Sequence, residues 1–266
     1  MDLHIVSGGI GKQVAFTSVL NKFKEKVCVS SHWQDVYKEN LYVEEVYPPT
    51  HLSHHGNKFL YKNFENIIYV EPYCGNMLKG EMHLIEAYHE KLGLKCDGLY
   101  HTVNFSKESE RYYSKFIEEL EDFVLVQFTG SDKGEYLLGD RNLNKELSQE
   151  IINVIRFDFN IKVIDVNEGQ TIYENIFTPR KQPQYREYLM MMKHCKTFIG
   201  IDSSLNHMSA YQYNPISGLC LWRDKAYAKM FEYPHNTNIY SKLPAKMNFD
   251  KNYTLECVSN LLKKVN

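Results

Sequence analysis

The residues best placed to do chemistry lie between Thr197 and Ala210, in the run Thr-Phe-Ile-Gly-Ile-Asp-Ser-Ser-Leu-Asn-His-Met-Ser-Ala. Phe198, Ile199 and Ile201 are the short apolar run of a strand buried on both faces. Ser203 or Ser204 is a good N-cap for a helix with Leu205 and Met208 on its inner side. Asp202, Ser203, Ser204 and His207 therefore fall where a strand stops and a helix starts. The first N–H groups of such a helix lack intrahelical partners and carry the positive end of its dipole, which suits a phosphate. Taken alone, the same residues also read as an ordinary cap with His207 in the core or on the surface.

Four other segments bear on that choice. Ser7-Gly8-Gly9-Ile10-Gly11-Lys12-Gln13 stands between strand-like Leu3 to Val6 and the apolar helical positions Val14, Ala15, Val19 and Leu20. Gly8, Gly9 and Gly11 let backbone approach a phosphate or acceptor closely, although their spacing fits neither a Walker P-loop nor a dinucleotide fingerprint. After the apolar run Phe123 to Phe128 comes Thr129-Gly130-Ser131-Asp132-Lys133-Gly134, whose hydroxyls, backbone donors and Lys133 ammonium match a pyrophosphate; a polar surface loop is the plainer reading. Glu168, just past the strand Ile161 to Val166, is placed to accept both hydroxyls of a ribose. Glu71 stands at the carboxyl end of the strand Ile67 to Val70, where a parallel sheet presents its working residues.

His51, His54 and His55 cluster near a Pro-Pro pair, but without helical His-x-x-x-His spacing or a paired carboxylate. They read as a loop near a cleft, and no metal is expected.

The elements that must position these residues alternate. Val27 to Ser30 is a strand, Trp33 to Tyr37 a helical turn, and residues 44 to 66 loop-like around Gly56. Glu81 to Leu92 is an amphipathic helix closed by Gly93, with His83 and Glu86 off its apolar face, and Lys107 to Glu121 is a charged helix. Leu143 to Phe159 and Tyr185 to His194 are helices, Gly218 to Trp222 a last buried strand, Tyr233 to Asn236 a loop, and Thr254 to Val265 an amphipathic helix. The pattern is βαβα twice over. It implies an α/β fold of two Rossmann-like, doubly wound domains facing across a cleft, residues 1–120 and 121–266.

Composition bounds the function classes. The 266 residues are 43% hydrophobic and 24% charged, with a net charge of −2, which suits a soluble globular protein and argues against broad nonspecific grip on nucleic acid. The six cysteines are scattered without a Cys-x-x-Cys pair and read as reduced core residues of a cytoplasmic protein. The chain opens on a strand rather than a leader, and no apolar run approaches membrane-spanning length. Twenty tyrosines with abundant Lys and Asn are the usage of an AT-rich genome such as a phage's.

In order along the chain, Gly-Gly-Ile-Gly before an apolar helix, Val126-Gln127-Phe128-Thr129 with Lys133 four residues later, and Asp202 to Ala210 resemble the heptosyltransferase-type glycosyltransferases of family 9. The last segment is similar to that family's Asp-(Thr/Ser)-Gly-Leu-x-His-x-x-Ala. The resemblance implies a GT-B fold, with a nucleotide sugar in the second half and the acceptor in the first. By it, Thr129 and Lys133 meet the phosphates, Glu168 the ribose, and Asp202, Ser203, Ser204 and His207 line the pyrophosphate and sugar. Two departures stand out. Lys12 occupies the place of the family's acidic residue, the proposed base, and Ser204 that of a glycine. The chain is also shorter than typical members.

The expected reaction is inverting, metal-independent transfer of a sugar to an acceptor hydroxyl, with no cofactor beyond the nucleotide-sugar co-substrate. Charge building on the leaving diphosphate is its main electrostatic demand. Glu71 is the first candidate base, ahead of Glu81 and His83, while Lys12 can neutralise phosphate or hold an anionic acceptor. Two alternatives remain open at this point. One is a phage enzyme that glycosylates modified DNA bases, with Lys12, Lys58, Lys62 and Lys79 facing phosphate; the other is a non-catalytic nucleotide-binding protein on a GT-B-like scaffold. The acceptor, glycan or modified base, and the oligomeric state are not fixed by the sequence.

Overall fold

A computed structural model describes residues 1–49, 63–73, 75–130, 142–166, 173–177, 184–243 and 247–266. It divides into two compact units, Met1–Glu110 and Arg111–Asn266.

The first unit carries strands β1 (Leu3–Val6), β2 (Val27–Ser30), β3 (Val43–Tyr47) and β4 (Ile67–Val70), all parallel and ordered β3-β2-β1-β4. Helix α1 (Ile10–Leu20) buries Val14, Ala15, Phe16, Val19 and Leu20, and also Gln13, Thr17 and Ser18. It is buried nearly all round, so its polar residues sit in the core, where an unpaired donor or acceptor is costly. Thr17 finds a partner at residue 102, where its Oγ1 accepts the Thr102 N–H at 2.9 Å.

Strand β3 overturns the loop-like reading of residues 44 to 66 at its start. Glu44 and Glu45 masked it, because an edge strand tolerates charges that a central one does not. The short helix α2 (Gly75–Leu78) follows β4. Helix α3 (Leu84–Lys91) starts later than the pattern indicates because His83 is its N-cap. The His83 Nδ1 accepts the Ile85 N–H at 3.1 Å, and Glu86 accepts the His83 N–H at 2.8 Å. Helix α4 (Lys107–Glu118) contains the division between the units. Glu39, at φ +63, accepts the Ser106 N–H at 2.7 Å and anchors its start.

The second unit carries β5 (Phe123–Gln127), β6 (Lys162–Asp165), β7 (Thr197–Ile201), β8 (Gly218–Trp222) and β9 (Thr237–Tyr240), again all parallel, ordered β6-β5-β7-β8-β9. Its helices are α5 (Lys145–Asn153, prolonged by a π-helical turn Val154–Asp158), α6 (Tyr185–His194), α7 (Ser204–Met208), α8 (Lys225–Ala228) and α9 (Lys251–Val265). Val124, Val126, Ile199, Ile201, Leu219 and Leu221 form the sheet side of one core with Ile151, Ile152, Val258 and Leu262. Gly218 is required by packing, since a Cβ there would meet the Phe198 ring at 2.1 Å. Strand β9 went unread because Thr-Asn-Ile-Tyr has one buried residue of four.

In both sheets the strand order reverses beside the first strand, between β1 and β4 in one unit and between β5 and β7 in the other. Open α/β sheets bind ligands at the carboxyl ends of strands flanking such a reversal. Among the described residues, no helix is long and apolar enough to cross a membrane.

Candidate functional site

At the first reversal the structure brings together residues 64 positions apart. Ser7 follows β1 and Glu71 follows β4, and the Ser7 hydroxyl donates to Glu71 Oε2 at 3.3 Å. The Lys12 ammonium reaches from the first turn of α1 to within 3.7 Å of Glu71 Oε1, and it lies 3.8 Å over the Tyr73 ring. Lys12 is 19% exposed and Glu71 49%, so the carboxylate faces solvent while the ammonium is covered.

The glycine loop makes this reach possible. Gly8 has φ +95, and a Cβ on it would meet Lys12 Cδ at 2.6 Å. Lys12 folds back through the space where a side chain at residue 8 would stand. Gly9 is the N-cap of α1 and Gly11 lies in its first turn. The loop is held from behind by Gln13, which is fully buried. Its Nε2 donates to the carbonyls of Val6 and Ser7 at 3.1 Å and Gly8 at 3.4 Å. Its Oε1 accepts from Ser31 Oγ at 2.8 Å and Tyr37 Oη at 2.6 Å. The sequence reading passed over Gln13. Its signal was a polar residue at the helical spacing of Phe16, Thr17 and Leu20, on the side that faces inward.

Of the other base candidates, Glu81 is exposed before α3. His83 is corrected to a structural residue: it is 4% exposed and its ring is engaged in the capping box. Of the lysines proposed to face DNA, Lys12 is committed to Glu71 and Tyr73, while Lys58 and Lys62 lie outside the described residues, as do His51, His54 and His55.

At the second reversal Thr129 stands past β5, and Asp202, Ser203 and Ser204 stand past β7. Asp202 is 8% exposed. Gln127, the last residue of β5, joins the two strand ends. Its Oε1 accepts from the Ser203 hydroxyl, from Ser204 Oγ at 3.3 Å and from the Leu205 N–H at 3.4 Å. Ser203 is the N-cap of α7 by position but makes no side-chain cap. The expectation of open amides at a helix dipole is corrected on two counts: α7 has five residues, too few for a large dipole, and its Leu205 N–H is already taken by a side chain. The sequence reading passed over Gln127 as well; its signal was a polar residue ending an otherwise apolar strand.

His207 is 6% exposed and lies inside the unit, its Nδ1 2.9 Å from the Tyr233 hydroxyl and its ring edge-on to Phe231 and Tyr233. Burial drives the Tyr233 phenol far above its usual range, so it keeps its proton and can donate to Nδ1. Behind α7, Asn206 donates to the Phe231 carbonyl at 2.7 Å and accepts from Asn236 Nδ2 at 3.0 Å, while Asn236 Oδ1 accepts the Gly218 N–H at 3.0 Å. His235 Nε2 lies 3.1 Å from Ser209 Oγ. The segment read as a plain loop at 233–236 thus fastens α7 to the sheet. Lys133 and Glu168 lie outside the described residues. Among the described residues, no group of three His, Cys, Asp or Glu is arranged to hold a metal ion.

Two parallel doubly wound units, each with polar residues at its strand-order reversal, define the class of fold. No family model matches the chain, and no curated protein matches it in sequence. Solved structures do match it in fold. A glycosyl transferase of family 9 from Veillonella parvula aligns over 99% of this chain and 97% of its own, with TM-score 0.66 and 12% identity. The E. coli ADP-heptose lps heptosyltransferase II aligns over 99% of both chains, with TM-score 0.64 and 12% identity. The E. coli heptosyltransferase WaaC, solved with ADP, aligns over 100% and 99%, with TM-score 0.56 and 11% identity. The chain therefore has the α/β fold of the GT-B heptosyltransferase structures.

Proposed function

We propose that this protein is a glycosyltransferase that moves a sugar from a nucleotide-sugar donor to an acceptor hydroxyl, with inversion and without a metal. The second unit holds the donor and the first the acceptor. The observation that carries this reading is the fold shared from end to end with glycosyltransferases, with Lys12 and Glu71 near one strand-order reversal and Thr129, Asp202, Ser203 and Ser204 near the other. Solution of WaaC with ADP supports a nucleoside diphosphate as leaving group.

In the reaction the acceptor oxygen attacks the anomeric carbon, the bond from that carbon to the diphosphate oxygen breaks, and the acceptor proton passes to a base. Glu71 is that base, a carboxylate facing solvent and held by Ser7 and Lys12. Lys12 steers the carboxylate through its ion pair. Charge on the departing diphosphate is met by Thr129, Ser203, Ser204 and Lys133. Gln127 Oε1 holds the Ser203 and Ser204 hydroxyls in the arrangement that phosphate oxygens take over from it. Asp202 and His207 shape the sugar side of this pocket, His207 through its bond to Tyr233, and Glu168 takes the ribose.

The test is release of nucleoside diphosphate from a panel of nucleotide sugars supplied with hydroxyl acceptors. Turnover that Glu71→Gln abolishes supports the reading; binding of nucleoside diphosphates with no transfer to any acceptor supports a binding protein instead.

A further inference from the structure

We infer that Gln13 is a positioning residue for the Lys12–Glu71 pair, an inference that rests on the reading of that pair given above. Three features converge. First, Gln13 is the residue next to Lys12, so on a helix the two side chains leave the axis about 100° apart. One enters the core and the other crosses the loop. Second, one buried amide group binds three consecutive carbonyls, Val6, Ser7 and Gly8, at 3.1 to 3.4 Å. Because each peptide is planar and trans, drawing these carbonyls inward turns the following N–H groups, those of Ser7, Gly8 and Gly9, the other way. That fixes the path of the loop, and with it the φ of Gly8 that leaves room for Lys12.

Third, the amide cannot rotate to another arrangement. Its oxygen is claimed by two hydroxyls from outside the loop, Ser31 after β2 and Tyr37 beyond it, at 2.8 and 2.6 Å. The three carbonyls can only accept, so they settle which end of the Gln13 amide is nitrogen, and the oxygen is then the end that faces the two hydroxyls. A buried polar network of this kind is rigid when every member is satisfied. An apolar residue of equal size would fill the space but leave the loop carbonyls free to turn.

The experiment compares wild type with Gln13→Met, near in volume but without the amide, and with Glu71→Gln. Two readouts are used on folded protein: steady-state transfer, and the rate at which an amine-selective acylating reagent labels Lys12, followed by mass spectrometry. The expected result for Gln13→Met is a fall in kcat of about thirtyfold or more, with donor KM within about twofold. Lys12 labelling should rise severalfold, as in Glu71→Gln, where the ion pair is lost outright. Should Gln13→Met not fold, Tyr37→Phe, which leaves the carbonyl contacts but frees one side of the amide, should show the same two changes at smaller size. Lys12 labelling unchanged in a folded Gln13 or Tyr37 variant, while Glu71→Gln raises it, overturns the inference. Absence of transfer by wild type with every donor overturns the functional reading alone, because the labelling still reports on the pair.

Discussion

The Lys12 ammonium stands 3.7 Å from the Glu71 carboxylate and so ties the first turn of α1 to the end of β4 across the strand-order reversal of the first unit. In this position the carboxylate comes from a strand end, not from the helix that follows the glycine loop. The helix contributes the cation.

We predict that Glu71→Gln lowers kcat by about 10²-fold or more, the usual size of a lost general base. Its effect on folding should stay under about 1 kcal/mol, because the pair is half-open to solvent on the Glu71 side. Steady-state kinetics and urea denaturation measure the two separately.

Gly8→Ala should destabilise by about 1–2 kcal/mol, since residue 8 has φ +95, a region an L side chain enters only with strain. It should also expel Lys12, whose Cδ lies 2.6 Å from the added Cβ position. The double variant Gly8→Ala/Lys12→Ala removes the clash but not the strain, so its urea midpoint should recover only in part.

Gln127→Leu leaves two hydroxyls and the Leu205 N–H without their acceptor, and should cost about 1–3 kcal/mol. The same change should raise the KM for the donor, as the strand ends β5 and β7 lose the side chain that joins them. An unaltered donor KM in a folded variant would remove Gln127 from the site.

Acid stability should be governed by histidines shielded from solvent, His4 buried and His235 partly so. Burial pushes His4 and His235 down to about 4, from an ordinary 6.5. Below 6.5 the unfolded chain binds protons that the folded chain refuses, so stability is full above that pH and falls as pH drops toward 4. For His4, which is 1% exposed and packed near Phe16 and Phe23 without a hydrogen-bond partner among the described residues, the loss reaches about 3 kcal/mol. His4→Phe should therefore flatten the decline between pH 6.5 and 4 in denaturation curves, and an unchanged slope would show that His4 does not titrate in this way.

Much of this was legible because parallel strands buried on both faces announce themselves as apolar runs. Leu3 to Val6, Phe123 to Gln127, Thr197 to Ile201 and Gly218 to Trp222 are of this kind. β3 and β9 escaped, since neither carries such a run, and their pairing is decided by neighbours distant in sequence. The same limit applied to the sites. Glu71 was found from its place at a strand end, and its partnership with Lys12 depends on which strand lies beside β1, which local pattern does not encode. Gln13 and Gln127 act through side-chain amides whose partners lie across the fold, and His83 looked like a base because its cap is a matter of backbone geometry.

The central claim is that the second unit takes a nucleoside diphosphate and its sugar conjugate, and equilibrium unfolding with ADP, UDP, GDP and their nucleotide sugars tests it most directly. A ligand at a hundred times its dissociation constant should add about 2.7 kcal/mol of stability, with at least one nucleotide sugar giving that gain and Gln127→Leu reducing it. Unfolding curves that no member of the panel displaces at millimolar concentration would contradict the claim.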